Sequence, residues 1–176
     1  GGVGVGPTRI DAALGVVKAY TTRVGSGPLP SEIRGELGEK LRELGGEYGA
    51  TTGRPRRCGW FDAVVVRYSA RVNGLTGLAL TKLDVLDSFQ EIRIATGYRA
   101  GGEVLDSFPA ELPLLEEVEP IYETLPGWNT TTSDARAVED LPAEARSYIK
   151  RIEELTGVPV WYVGVGTERE QIIRLH

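Results

Sequence analysis

Residues 77–84 read GLALTKLD, an apolar stretch that gives way abruptly to Thr81, Lys82 and Asp84. A short apolar run of this kind reads as a buried strand with a polar exit. Lys82 and Asp84 stand two apart, so on an extended chain they point the same way. The carboxyl end of a strand is also where open α/β sheets bind ligands. One carboxylate there can accept hydrogen bonds from the ring N–H and the exocyclic amine of guanine together, while a lysine stem covers the base. Adenine offers no such adjacent donor pair. An exposed Lys/Asp pair in an ordinary βα loop would read the same way.

Outward from this strand, helical and extended patterns alternate. Upstream, TRIDAALGVV predicts a helix with Ile10, Ala13 and Leu14 inward, VVKAYTTRV a strand, and GSGPLP a turn. SEIRGELGEKLREL places Ile33, Leu37, Leu41 and Leu44 at helical spacing, with Ser31 as N-cap and Gly45 and Gly46 as stops. WFDAVVVRYSARV fits strand or helix, and Ala70, Asn73 and Gly74 tilt it toward helix.

Downstream, EIRIATGYR alternates as a strand, and residues 101–123 hold seven acids and no base, which suits a solvated, partly irregular excursion. EPIYETLPGW returns to the sheet. A helix is expected over roughly residues 142–155, with Pro142 near its first position and Tyr148, Ile149, Ile152 and Leu155 on one face, closed by Gly157. VPVWYVGVG then runs as a strand into a glycine turn, and EREQIIRL is a final strand. The expected fold class is α/β, a mixed, partly parallel sheet with flanking helices, in a single domain over residues 1–176.

Composition excludes several classes of function. Of 176 residues, 41% are hydrophobic and 26% charged, which argues against disorder, and the net charge of -5 argues against a broad nucleic-acid-binding face. Cys58 is the one cysteine, so a disulfide scaffold is excluded and a cytoplasmic setting is expected. Without a bilayer-length apolar run, no membrane partner is expected. The chain opens at Gly1 and contains no methionine, which suggests that it starts inside a longer protein. Sixteen arginines against four lysines, with two Asn and two Gln, is a balance found in thermophiles.

GATTGRPRRCGW, residues 49–60, concentrates positive charge in an acidic chain. Arg54, Arg56 and Arg57 could form a fork for carboxylate or phosphate, with Thr51 and Thr52 adding hydroxyls and Gly53 allowing close backbone approach. An exposed basic turn paired with surface acids fits the composition equally well. In GVGTER, residues 164–169, Gly164 and Gly166 would let the backbone approach a base or ribose, though a plain hairpin turn explains them as well. Cys58 beside the arginines invites a lowered thiol pKa, but no partner for a cysteine nucleophile stands with it. The terminal His176 is given no role, no His/Cys cluster has zinc spacing, and a GxxxxGK[ST] loop is absent.

TKLD resembles the base-reading NKxD element of GTP-binding proteins, with threonine first. GPTRIDAALGVVKAYTTRVGSGPLP, GEYGATTGRPRRCGW, TKLDVLD, EPIYETLPGW, YIKRIEELTGVPV and VGVGTER, in that order, resemble the adenylosuccinate synthetase family over essentially the whole chain. The resemblance implies the C-terminal portion of a P-loop-like nucleotide-binding fold. It also implies a ligase that joins IMP to L-aspartate with GTP as co-substrate, in AMP biosynthesis. Ala50, Thr51, Thr52, Gly53, Arg54, Pro55 and Arg56 would then bind aspartate. Arg54 would also reach the IMP ribose, Arg56 the GTP phosphates, and the Val24 backbone the IMP ribose. Lys82, Leu83 and Asp84 would hold guanine together with Gly164, Val165 and Gly166.

Gly164 stands where the family commonly has serine, Thr167 where it has proline, and Pro55 interrupts an arginine run of some relatives. By the same resemblance the phosphate loop, the catalytic aspartate and histidine and the Mg2+ site belong to an N-terminal part outside this chain. No catalytic residue is therefore expected here, and the family works as a homodimer. A non-catalytic guanine-nucleotide-binding module is the alternative.

Overall fold

In the computed structural model, which describes residues 4–105, 107–109 and 111–175, the first regular strand is β1 (Leu14–Lys18). The helix expected over TRIDAALGVV is absent: a 3-10 turn covers Pro7–Arg9, and Ile10 and Leu14 are exposed rather than inward. The β-branched pair Val16 and Val17 favours extended backbone, and β1 finds a parallel partner downstream. His176 and the first residues of the glycine-rich opening lie outside the described residues.

The single strand expected over VVKAYTTRV is two. The chain bends at the buried pair Ala19 and Tyr20 into β2 (Thr21–Arg23), which serves a different sheet.

Helix α1 (Glu36–Gly45) begins later than the apolar spacing implied. Gly35, at φ 73°, is its N-cap; Ser31 lies upstream and fully buried, and Ile33 precedes the helix. Leu41 is its buried anchor, whereas Leu37 and Leu44 stay about half exposed. Gly46 closes it in the left-handed conformation, as the glycine pair suggested. Strands β3 (Arg57–Gly59) and β4 (Phe61–Asp62) follow. Asp62 then caps α2 (Ala63–Asn73), its carboxylate accepting from the Val64 and Val65 N–H groups.

GLALT forms β5 (Gly77–Thr81) as expected, and EIRIATGYRA forms β6 (Glu91–Ala100). The acidic excursion is more ordered than its charge suggested, with β7 (Glu103–Leu105) and the short α3 (Leu112–Glu117). Next come β8 (Glu119–Pro126), α4 (Ala143–Thr156) with Pro142 at its N-cap, and β9 (Val160–Gly164). The last strand shrinks to β10 (Ile172–Arg174), because a 3-10 turn takes Arg169–Gln171.

One sheet runs β1-β5-β9-β10, with β5 parallel to both β1 and β9 and β10 antiparallel to β9. In the second, β6 pairs with β8 along one edge and with β4 and β7 along the other. The mixed, partly parallel arrangement with flanking helices is thus present. Leu78 and Leu80 of β5 and Val160 and Val163 of β9 lie in one buried cluster with Tyr148, Ile149 and Ile152 of α4. Gly77 permits close packing there, since a Cβ at that position would overlap the Trp161 indole. α2 packs against α4 and against β6, which joins the two sheets.

Candidate functional site: two loops around one buried carboxylate

Because β1, β5 and β9 run parallel, their carboxyl ends lie together. Lys18 pairs with Thr81, and Leu80 with Val163, the residue before Gly164. A Cβ on Gly164 would stand 3.5 Å from the Thr81 Cα, an ordinary contact that leaves room for serine. TKLD and GVG, remote in sequence, are therefore neighbours at one end of one sheet.

The turn after β5 is sharp. Lys82 has φ 60°, a left-handed conformation that costs a non-glycine residue about 1 kcal/mol. Its Nζ is held by the Gly45 carbonyl and by Glu47 Oε1. The following 3-10 turn, Leu83–Leu86, buries Leu83 and Leu86 completely. Asp87 fastens the far end, accepting from Trp128 Nε1 at 2.6 Å, from the Thr132 N–H at 2.7 Å and from Thr132 Oγ1 at 2.9 Å. Asp84 rides on this anchored turn.

The Asp84 Oδ1 is buried and has no hydrogen-bond partner among the described residues. Burial, helped by the neighbouring Asp87 charge, pushes the Asp84 carboxyl above its ordinary range. A buried acceptor with no donor costs free energy, and a donor supplied by a ligand would remove that cost. Asp84 opens onto a cavity of about 570 Å³ lined also by Leu44, Lys82, Gly164, Gly166 and Ile172. Val165 behind it is fully buried and donates its N–H to the Gln171 carbonyl. Gln171 fixes the glycine turn further, accepting from the Glu168 N–H and donating to the Ser133 carbonyl. Of the sequence-predicted candidates, only Arg57 lines either of two further clefts, of about 630 and 600 Å³, around Arg34.

The arginine loop is a tight hairpin. Tyr48 bridges to Pro55, the Gly49 N–H donates to the Arg54 carbonyl, and the Gly53 N–H donates to the Gly49 carbonyl. Gly53 takes φ 63° at the tip. Ala50, Thr51, Thr52, Gly53, Arg54 and Pro55 are all exposed.

The three arginines do not form a fork. Arg57 makes a bidentate pair with Glu32 at 2.7 and 2.8 Å and donates to the Gly27 carbonyl at 2.6 Å, so it anchors the RVGSG turn that carries Val24. Arg56 turns away to Glu47 at 2.7 Å. Among the described residues the Arg54 guanidinium makes no hydrogen bond. The reason is alternation: β3 begins at Arg57 and pairs with β2, so consecutive arginines leave on opposite sides. Val24, exposed, follows Arg23, the partner of Arg57, and the register carries it toward Arg56. The Cys58 thiol is also not activated, since burial pushes its pKa up despite the nearby cations.

Glu47 is the residue that sequence reasoning missed. It is fully buried and takes Lys18 at 2.8 Å, Tyr20 at 2.6 Å, Arg56 at 2.7 Å and Lys82 at 3.0 Å. Gly45 leaves the space, since a Cβ there would overlap the Tyr20 hydroxyl. Burial alone would raise the carboxyl, but the bonds from Lys18, Tyr20, Arg56 and Lys82 outweigh it and hold the pKa at about 2. Its ordinary value is 4.5, so this contribution to stability is complete above that pH and is lost as pH falls toward 2. Allowing for solvent around the partly exposed cations, it amounts to roughly 2 kcal/mol. Acid titration of unfolding should therefore show a shallower loss between pH 4.5 and 2 in Glu47→Gln than in the parent.

The family model for adenylosuccinate synthetase matches residues 1–173. The chain belongs to the adenylosuccinate synthetase family. It is 62% identical over 174 residues to adenylosuccinate synthetase of Moorella thermoacetica and 59% identical to that of Carboxydothermus hydrogenoformans. In each case 99% of this chain and 41% of the relative are covered, so the chain spans about two fifths of these relatives' length. A solved structure described as fully ligated adenylosuccinate synthetase from Plasmodium falciparum superposes with a TM-score of 0.96 at 39% identity. That match covers 99% of this chain and 42% of the solved one. Among the described residues no group of three or more His, Cys, Asp or Glu could hold a metal ion, and no helix is long and apolar enough to cross a membrane.

Proposed function

We propose that this chain is the C-terminal, substrate-recognition part of a GTP-dependent ligase that joins IMP and L-aspartate into adenylosuccinate, on the route to AMP. Oxygen at the purine carbon is a poor leaving group until it is phosphorylated. The GTP γ-phosphoryl group goes to that oxygen, and the aspartate amine then displaces phosphate. The residues of this chain would bind and orient the reactants.

Asp84 would accept from the ring N–H and exocyclic amine of guanine, Lys82 would cover the base, and the backbone of Gly164, Val165 and Gly166 would close the other side. Leu83 fixes the turn from beneath. The exposed loop from Ala50 to Arg56 would bind the aspartate carboxylates. In it Arg54 also reaches the IMP ribose, Arg56 the GTP phosphates, and the Val24 backbone the ribose from the adjacent turn. Mg2+ would supply charge neutralisation at the phosphates. By the family resemblance its site, with the catalytic aspartate and histidine, would lie outside this chain, in a homodimeric cytoplasmic enzyme.

The observation that carries this reading is the buried, partnerless oxygen of Asp84, a residue that lines a cavity shared by the β5 and β9 loops. Calorimetry on the full-length protein should give heat with GDP and none with ADP at the same concentration. Equal heats would overturn the guanine assignment. The 176-residue chain alone is expected to show no turnover of IMP, GTP and aspartate, and turnover would overturn the placement of the catalytic groups.

A further inference from the structure

We infer that Glu47 is a positioning residue that ties the guanine pocket to the arginine loop, holding Lys82 of the one and Arg56 of the other on a single buried carboxylate. The inference rests on the reading of those two loops given above. The two carboxylate oxygens divide the work. Oε1 takes Lys82 and Tyr20, Oε2 takes Arg56, and Lys18, from the end of β1, spans both at 2.8 Å.

Three cations surround one anion, so two positive charges are in excess. The cations are 27, 29 and 35% exposed while Glu47 is 0% exposed, and the excess therefore faces outward. A site needing only positive potential would be stronger without Glu47, because its charge subtracts from the field that attracts phosphate. What Glu47 supplies is geometry: cations that repel one another are kept together, and Lys82 is kept in its left-handed turn beside Asp84. The loop is tied by the main chain of the same residue as well, because the Glu47 backbone carbonyl accepts from the Arg56 N–H.

This separates two effects that a purely structural role would move together. In the full-length protein, Glu47→Gln should weaken guanosine about tenfold, since the base-covering lysine loses the charge-assisted part of its anchor and keeps the Gly45 carbonyl. Inorganic tripolyphosphate should bind as well as before or more tightly, since one negative charge is gone. A parallel loss of both ligands, or unchanged guanosine affinity, would overturn the inference.

Should Glu47→Gln fail to fold, Arg56→Met asks the same question. Arg56 does not line the guanine cavity and guanosine has no phosphate, so a change in guanosine affinity of threefold or more must pass through Glu47, and no change overturns the tie. If the parent protein does not prefer guanosine to adenosine, the functional reading itself has failed. The tie is then decided by amide exchange at Gly53 and Arg56, which should quicken in Lys82→Met and would be unaffected if the two loops were independent.

Discussion

Replacing Asp84 with asparagine is expected to shift the ratio of guanine to xanthine nucleotide affinity about a thousandfold toward xanthine. The argument is one of donors and acceptors. Guanine presents two adjacent donors, and the carboxylate can accept both. An asparagine amide offers one acceptor and one donor, so one guanine N–H bond is lost and an N–H group faces another N–H. Losing a charge-assisted bond and leaving a buried donor unpaired cost together about 3 kcal/mol, or roughly 100-fold for guanine. Xanthine has a carbonyl where guanine has its amine, so the same asparagine pairs with it fully, and the remaining tenfold comes from that gain. The anchors of the turn, Leu83, Leu86 and Asp87, are untouched, so the fold should be unaffected. Competition binding with GDP and XDP decides the matter; an unchanged preference would remove Asp84 from the base site.

The strand and the turn that carry Asp84 were legible in sequence because their parts are local. An apolar run ending in Lys and Asp identifies both the strand and its exit, and β5 formed where GLALT predicted it. The same holds for α4, whose apolar spacing and closing Gly157 set its bounds to within a residue or so. Two kinds of feature were not legible. TRIDAALGVV has helical spacing, yet it forms no α-helix and joins β1 from Leu14 on, because β5 offered a parallel partner and pairing outweighed a weak local preference. Ser31 looked like a cap, yet Gly35 took that place and Ser31 was buried.

The Glu47 cluster has no sequence signature at all. Its members come from β1, the bend after it, the end of α1, the arginine loop and the exit of β5, and only the fold brings them to one carboxylate. The one available hint was an acid at the mouth of a basic loop. The structure also redistributes the arginines: adjacent letters in RPRR serve an open loop tip, a buried carboxylate and a turn anchor.

That division leads to the second large effect, at Arg54. Arg54→Leu in the full-length enzyme should raise the KM for L-aspartate about 100-fold, the loss of one bidentate charge-assisted contact worth roughly 3 kcal/mol. Among the described residues the Arg54 guanidinium makes no hydrogen bond, while Arg56 donates through Nη1 to Glu47 and Arg57 holds Glu32 and the Gly27 carbonyl. Removing Arg54 therefore breaks no internal bond of its guanidinium, and the melting temperature and GDP affinity should hold. Arg57→Leu makes the contrast, because it takes away the bidentate partner of Glu32 and the anchor of the Val24 turn, so stability should fall with it. Kinetics in aspartate alongside thermal unfolding of both variants separates the two roles. An unchanged aspartate KM in Arg54→Leu would make the exposed loop a bland basic turn, and an equal loss of stability in both would mean that Arg54 is structural.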